Sequence, residues 1–379
     1  MTHLGYTFDS PLGRCGVVWS DGAIHALQLP EASEARLWRA LRRTASPLER
    51  VDAPPDGIGE LVRRVQGHLA GRSDRRGFAD VAVDMARFPR FTRTVYQTAR
   101  RIPAGKVVGY GDLAAACGSP GASRAVGQAM AHNPLPLIVP CHRVLAADGQ
   151  LGGFSSHGGI ATKLRLLTLE GTDLEPIGRG GVRMLRRDDP RLAALIHAVG
   201  PFPLLRRRRG DPFNALVESI IHQQVSMKAG AAIYRRMTEV VGRPPTPAAI
   251  RARTPDQLRA AGVSAQKSGY LHDLSHRVLE GSLPLGALQR QDDEAVIEAL
   301  TRVKGIGRWS AQMFLIFHLG RLDVLPVDDL GLRKGAQAVL GLRQLPDARR
   351  LQQLARRWTP FRSIATWYLW RALDAGGLS

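Results

Sequence analysis

Residues 6–28 alternate apolar and polar side chains around two turn signals, Ser10-Pro11-Leu12-Gly13 and Asp21-Gly22. A period of two commits this stretch to a β-hairpin, because a helix cannot keep such a pattern on one face. Helical patterns follow at 34–44 and 59–69, so residues 1–88 are expected to form a small α/β unit. A mainly helical unit begins near Phe88 and extends to residue 171. Residues 172–188 contain the Gly-rich run Ile177-Gly178-Arg179-Gly180-Gly181 and read as a linker or extended lead-in. Residues 189–379 follow as a third unit. At 379 residues and 44% hydrophobic composition the chain is long enough for two or three domains, each with its own core.

Three irregularly spaced cysteines argue against a disulfide framework and for a reducing compartment, so the expected location is cytoplasmic and nucleoid-associated. Residues 1–16 show no signal-type apolar core, and no apolar run reaches membrane-spanning length; no membrane association is expected. Lys and Arg number 53 against 33 Asp and Glu, giving a net charge of +20. That excess attracts polyanions. Nucleic acid fits better than a lipid surface, because no Lys-rich amphipathic helix with exposed aromatics is apparent. Charge alone does not separate DNA from RNA.

Within this basic chain, Pro140-Cys141-His142-Arg143-Val144 places a thiol beside an imidazole. The nucleophilic form of cysteine is the thiolate, and a neighbouring His that relays a proton toward a carboxylate populates it near neutral pH. The dipeptide alone fits a buried structural cysteine equally well. Its surroundings are more specific: Gly105-Lys106-Val107-Val108-Gly109-Tyr110, then Ser123-Arg124-Ala125-Val126-Gly127-Gln128-Ala129-Met130, then Asn133-Pro134. In order and spacing these resemble the catalytic domain of the O6-alkylguanine-DNA alkyltransferases, without a large gap from Phe91 to Gly171.

The resemblance implies a ribonuclease-H-like N-terminal domain over 1–88 and a helix-turn-helix catalytic domain over 89–171, with a helix at 110–116, a tight turn at 117–120 and a second helix at 121–132. Cys141 would attack the alkyl carbon, His142 would take the thiol proton through a water, and Glu170 would orient the imidazole. Asn133 would hold the turn carrying Cys141. Tyr110 would assist the leaving guanine, and Arg124 would fill the gap left by the flipped nucleotide. Phe154 and Ser155, in the Gly-rich loop 149–159, would wall the guanine pocket; relatives often carry Tyr at the Phe154 position. Glu170 before Gly171 also reads as a helix C-terminus. Cys15 is expected to be packed rather than catalytic.

The third unit carries Val303-Lys304-Gly305-Ile306-Gly307-Arg308-Trp309-Ser310-Ala311 after a helix at 292–300, followed by Pro326-Val327-Asp328-Asp329-Leu330. This resembles the helix-hairpin-helix DNA glycosylases of the alkylbase branch, which implies an all-α glycosylase domain over 189–379. Gly305 and Gly307 would shape a hairpin whose backbone amides meet one DNA phosphate. The resemblance makes Asp329 the catalytic carboxylate, stabilising an oxocarbenium-like sugar, and leaves Asp328 as the helix cap or a structural partner. Trp309 stands where bifunctional relatives carry a Schiff-base lysine, which implies a monofunctional enzyme. Trp309 and Phe361 would stack on cationic alkylpurines; core packing is the alternative for Phe361. Asp211-Pro212 is a helix start. Gln223-Gln224-Val225-Ser226 would lie near the opened base pair, with Gln224 at the position where some relatives place an apolar wedge. The arginines at 206–209 read as solvated surface or a phosphate contact.

Taken together, the sequence predicts a multidomain DNA-alkylation repair protein with no cofactor or metal. It would act as a monomer on double-stranded DNA with alkylated bases. The rival readings are an alkylation-sensing regulator and a lesion binder without catalysis. Retained Cys141, Glu170 and Asp329 speak against the binder. The cysteine-poor N-terminus lacks the zinc module of such sensors.

Overall fold

The computed structural model describes residues 2–72, 77–203 and 210–374; the arginines at 206–209 lie outside the described residues. The chain divides after Gly180 into two compact units.

The first unit opens with β1 (His3–Ser10), β2 (Gly13–Ser20) and β3 (Ala23–Gln28), an antiparallel meander with three strands where the alternation predicted a two-stranded hairpin. Both turn signals close it, at Pro11-Leu12 and Asp21-Gly22. Helix α1 (Glu34–Thr44) begins at an Ser33 side-chain cap and leads to β4 (Leu48–Arg50), which pairs parallel to β1. The sheet order is therefore β3-β2-β1-β4. β4 is three residues long, too short to show a period. Helix α2 (Asp56–Leu69) follows.

Alternation puts Cys15, Val17, Trp19 and Leu27 on one sheet face and Val18 and Ala26 on the other. The second face packs on α1 through Leu37, Trp38 and Leu41. The first face shares one apolar core with α2, α3 (Arg90–Ala99), α4 (Tyr110–Ala116) and α5 (Ser123–Ala131), and with Val139, Cys141 and Val144. Residues 1–88 and 89–171 thus fold around a common core.

A two-strand parallel pair, β5 (Val108–Gly109) with β6 (Val144–Leu145), ties the entry of α4 to the segment after Cys141. Helices α4 and α5 form the expected helix-turn-helix, with α5 starting two residues later than predicted. Helix α6 (Gly159–Leu169) ends at Glu170, and Gly171 adopts φ +71°, the left-handed C-terminal stop.

The predicted linker is instead largely α7 (Glu175–Asp188). Its glycines serve close approach rather than looseness. A Cβ on Gly180 would lie 2.8 Å from the Gly149 carbonyl oxygen, and in the second unit one on Gly181 would lie 2.4 Å from the Phe361 ring.

The second unit is all-helical among the described residues: α8 (Pro190–Val199), α9 (Pro212–His222), α10 (Met227–Val241), α11 (Pro247–Arg251), α12 (Pro255–Ala260), α13 (Ala265–Leu279), α14 (Asp293–Thr301), α15 (Arg308–Met313), α16 (Leu330–Val339), α17 (Ala348–Ala355) and α18 (Arg362–Asp374). Side-chain caps start most of them. Asp211 accepts from Phe213 and Asn214 N–H with Pro212 at the first helical position, and Asp292 accepts from Glu294 and Ala295 N–H. One core gathers Leu216, Ile220, Leu271, Leu300 and Leu315.

Helices α16 and α18 pack so closely that a Cβ on Gly335 would sit 2.2 Å from the Leu369 carbonyl oxygen. Gly335→Ala should destabilise the second unit by about 1–3 kcal/mol through overpacking. A lowered thermal transition for that unit in calorimetry checks it; an unchanged transition would mean the helices can part at no cost.

Candidate active sites

In the first unit, Cys141 opens a short 3-10 turn, Cys141–Arg143, and is 7% exposed. Asn133 stabilises the preceding loop from both ends: its Nδ2 donates to Val139 O at 2.8 Å and its Oδ1 accepts from Leu135 N–H at 3.0 Å. Behind the thiol, His142 Nε2 lies 2.8 Å from Glu170 Oε1. Arg143 makes a two-pronged contact with the same carboxylate, Nε to Oε2 at 2.9 Å and Nη2 to Oε1 at 2.6 Å, and its Nη1 donates to Ile102 O. His68, from α2, brings Nε2 within 3.1 Å of Glu170 Oε1. All four side chains are buried.

Burial pushes the Glu170 carboxyl up, but the imidazole of His142 and donors from His142, His68 and Arg143 overcome this and hold it well below the usual carboxylate range. Burial lowers the His142 pKa despite the pull of Glu170, so its imidazole is neutral and free to accept a proton. Burial raises the Cys141 thiol; the Asn133 amide and the Lys163 ammonium oppose that rise.

In this unit, sequence reading missed two buried side chains of the cluster, Lys163, whose charge acts on Cys141, and His68, which meets Glu170. Lys163 sits inside the apolar helix α6, fully buried, donating to Val144 O at 2.6 Å and Leu151 O at 2.5 Å. Burial lowers its pKa to about 8. A lysine within an otherwise apolar stretch was the available signal. His68 gave none, since its partner is far along the chain.

Tyr110 begins α4, with Lys163 Nζ 5.9 Å from its ring centroid and Gly152 Cα backbone close enough that a Cβ would be 3.6 Å from its hydroxyl. Burial, then the neighbouring thiol, raise its pKa, which keeps the hydroxyl protonated. Phe154 is half-buried against the same core, whereas Ser155 and Arg124 are exposed, Arg124 on α5. Cys15 is buried with its pKa raised to about 11 by burial, which keeps it an inert thiol.

In the second unit, Gly305 has φ +82°, and a Cβ there would fall 2.1 Å from the Tyr270 ring, so only glycine fits the hairpin. Gly307 is the N-cap of α15. The hairpin is braced by Asp273, whose Oδ2 accepts from Lys304 N–H at 2.9 Å, and by Gln223 Nε2 donating to Gly305 O at 2.9 Å. Lys267 Nζ donates to both Ile221 O and Gln223 O at 2.7 Å. Next to these anchors Gln224 is exposed and held at φ +56°, the left-handed region a non-glycine residue seldom adopts.

Asp329 is itself the N-cap of α16: its Oδ1 accepts from Leu332 N–H at 2.6 Å and from Trp370 Nε1 at 2.8 Å, while Oδ2 accepts from Trp309 Nε1 at 2.8 Å. The capping role expected of Asp328 therefore belongs to Asp329, and Asp328 is exposed. The carboxylate is fixed in direction by three donors. Trp309 is 49% exposed, and Trp370 stacks on Phe317 with centroids 5.9 Å apart. Phe361 does not join this aromatic face. It is 2% exposed with its ring against Gly181, so it packs the core and offers no face to a base. Trp370 was not found from sequence, because α18 carries several aromatics and no local pattern separates them.

The family profile described as "6-O-methylguanine DNA methyltransferase, DNA binding domain" matches residues 90–172, and "HhH-GPD superfamily base excision DNA repair protein" matches residues 217–361. A DNA-3-methyladenine glycosylase 1 of Schizosaccharomyces pombe is 35% identical over 181 residues, 47% of this chain and 79% of the relative. A methylated-DNA–protein-cysteine methyltransferase of Mycobacterium bovis is 35% identical over 165 residues, 43% of this chain and 90% of the relative. A solved structure of an S. pombe 3-methyladenine DNA glycosylase in complex with abasic DNA is 33% identical, covering 51% of this chain and 96% of that one, with a TM-score of 0.47.

Two measurements test the first site. At pH 7, where Lys163 is protonated, Lys163→Met should slow iodoacetamide alkylation of Cys141 about tenfold, since a nearby cation lowers a thiol pKa by about one unit or more. Above its pKa of about 8 the wild-type lysine loses its charge, so the two proteins should converge as pH rises; identical profiles would remove Lys163 from the site. Glu170→Gln leaves Arg143 buried without its counter-charge and should cost about 3–5 kcal/mol in denaturant unfolding at pH 7. Because the folded pKa of Glu170 is depressed, wild type holds this stability above the usual carboxylate range and loses it only in strong acid.

Proposed function

We propose, because this chain belongs both to the methylated-DNA–protein-cysteine methyltransferase family and to the DNA-3-methyladenine glycosylase family, that its two units carry out two separate repairs on alkylated double-stranded DNA. The protein is a bifunctional DNA alkylation repair enzyme. The β3-β2-β1-β4 order with β4 parallel to β1 supports a ribonuclease-H-like reading of the N-terminal sheet. The cysteine usage supports a cytoplasmic, nucleoid-associated protein, and we take it to act as a monomer. Among the described residues no helix is long and apolar enough to cross a membrane.

Transfer rests on the His142 to Glu170 contact behind the Cys141 thiol. O6 of a stacked guanine is out of reach of a buried thiolate, so the nucleotide must be extruded, with exposed Arg124 on α5 filling the gap. His142 takes the thiol proton through a water and Glu170 holds the resulting imidazolium. The sulfur forms a bond to the alkyl carbon as the carbon–O6 bond breaks, the Tyr110 hydroxyl donates a proton to the leaving guanine, and the proton taken up by His142 returns through water to the tyrosine oxygen, so that no net charge is left. A thioether has no leaving group toward water, so each protein molecule reacts once.

Excision rests on Asp329, pinned between the indole N–H groups of Trp309 and Trp370. Its fixed negative charge stabilises the sugar cation as the N-glycosidic bond breaks, and water completes hydrolysis. Trp309 offers a large exposed π-face to a cationic purine such as 3-methyladenine or 7-methylguanine. Gln224, strained and exposed beside the hairpin, is the side chain we assign to the opened duplex.

Crossed variants separate the two activities. Cys141→Ser should abolish methyl transfer from O6-methylguanine in duplex DNA while excision of 3-methyladenine persists. Asp329→Asn should slow excision by about a hundred- to a thousandfold, the usual loss for one preorganised electrostatic contact, and leave methylation of Cys141 unchanged. Repeated turnover by the first unit, or a borohydride-trapped Schiff base on the second, would refute the respective mechanism.

A further inference from the structure

The helix-turn-helix of the first unit is electrically neutral. Across α4, the turn and α5, residues 110–131 contain one anion, Asp112, and one cation, Arg124. Phosphate contacts by Lys and Arg supply most of the sequence-independent affinity of a DNA-binding protein, so a neutral recognition element leaves that affinity to come from elsewhere.

One strongly basic element of this unit is α1, the helix that packs on the sheet face away from the Cys141 core. Over Glu34–Thr44 it carries Arg36, Arg39, Arg42 and Arg43 against the single acid Glu34. The fold turns these into a concave feature. Arg39, Arg42 and Arg43, with Arg50 from β4, ring a depression of about 570 Å³ whose remaining walls are Ala35, Trp38 and Leu48. All four arginines are exposed.

No carboxylate lines the depression. Glu34, on the same helix, is shared: its oxygens lie 3.3 Å from Arg14 Nη1 and 3.4 Å from Arg50 Nη2, and one accepts from Trp38 Nε1 at 3.4 Å. Glu49, the other acid on β4, lines a different cavity. Arg39, Arg42 and Arg43 form no ion pair among the described residues. The Arg50 guanidinium stands 5.2 Å from the Trp38 ring centroid, which fixes one fork of the ring.

We propose that this α1–β4 depression is a phosphate-binding surface for the DNA backbone, separate from the helix-turn-helix. The spacing 39, 42, 43 puts three guanidinium forks on one helix face, and each fork matches two phosphate oxygens. A lipid surface fits poorly, because the apolar residues of α1, Leu37, Trp38, Ala40 and Leu41, are buried against the sheet and leave nothing to insert. The identity of the polyanion rests on the function proposed above; the existence of the anion surface rests on the arginines alone.

The test uses the full-length protein and its Arg39→Gln, Arg42→Gln, Arg43→Gln triple variant, all three side chains being exposed and outside both active sites. Binding to a short unmodified duplex is measured against salt. Each lost phosphate contact flattens the log–log slope by about 0.9, so the variant's slope should be shallower by about two to three. Between about 50 and 200 mM salt it should lose roughly 40-fold less affinity than wild type loses. Methylation of Cys141 by limiting duplex should slow at low salt, whereas its reaction with free O6-methylguanine nucleoside should match wild type, which shows that the catalytic core is intact. An unchanged salt slope overturns the proposal, as does loss of binding to polyglutamate with DNA binding retained, which would mark a surface for an acidic protein. If wild type transfers no methyl group at all, the functional reading fails while the salt slope still decides this one.

Discussion

The first unit is organised around one buried carboxylate. Glu170 stands at the end of α6, faces Arg143 and His142 from the turn after Cys141, and takes His68 from α2 in the N-terminal lobe. An unpaired buried carboxylate would cost several kcal/mol or more, so these elements are locked to each other by the need to neutralise it. The same contacts orient His142 with its other nitrogen free of protein partners. Fold and chemistry therefore share a single interaction, and the N-terminal lobe participates through His68 although it brings no nucleophile.

A second carboxylate plays the corresponding part in the other unit under different conditions. Asp329 sits at a helix start, half-buried, and receives three neutral donors in place of a guanidinium. The difference follows from the task. In the transfer we propose, Glu170 supports a histidine that gains a proton, and the Arg143 cation alongside keeps the carboxylate charged throughout. In the excision we propose, Asp329 attracts a sugar cation, and a full positive charge already on it would cancel that attraction. Indole and backbone N–H groups fix its direction while leaving its charge unspent.

What was legible in the sequence divides by the range of the interaction. Cys141-His142, Asn133, Tyr110, the Gly305-Ile306-Gly307 hairpin and Asp329 lie in local motifs that carry the family resemblance, and the elements that hold them fall within a few residues of expectation. Helix α1 and both hairpin turns were likewise written in local pattern. His68 and Trp370 act through partners 102 and 41 residues away, and nothing local announces such pairings. Gly180 and Gly181 misled for a related reason: glycine marks either a flexible segment or a close approach, and only the neighbouring Gly149 and Phe361 tell which. Phe361 followed, since the surface that buries its ring is the one Gly181 leaves open. Asp328 and Asp329 compete for one cap, and adjacency in sequence cannot choose between them.

The anchoring of Gln224 shows how strain is kept where it is useful. A left-handed glutamine costs on the order of 1–3 kcal/mol, and a free loop would relax it. Here the residue before it is held by two contacts, Lys267 on its carbonyl and the Gly305 carbonyl on its side chain. The glycine hairpin is thereby coupled directly to the turn that carries Gln224. Since Gly305 also excludes any side chain against Tyr270, the hairpin cannot shift without releasing Gln223. The hairpin and the Gln224 turn are in this way one joint rather than two independent loops, and in the function we propose that joint would set backbone recognition and base-pair opening together.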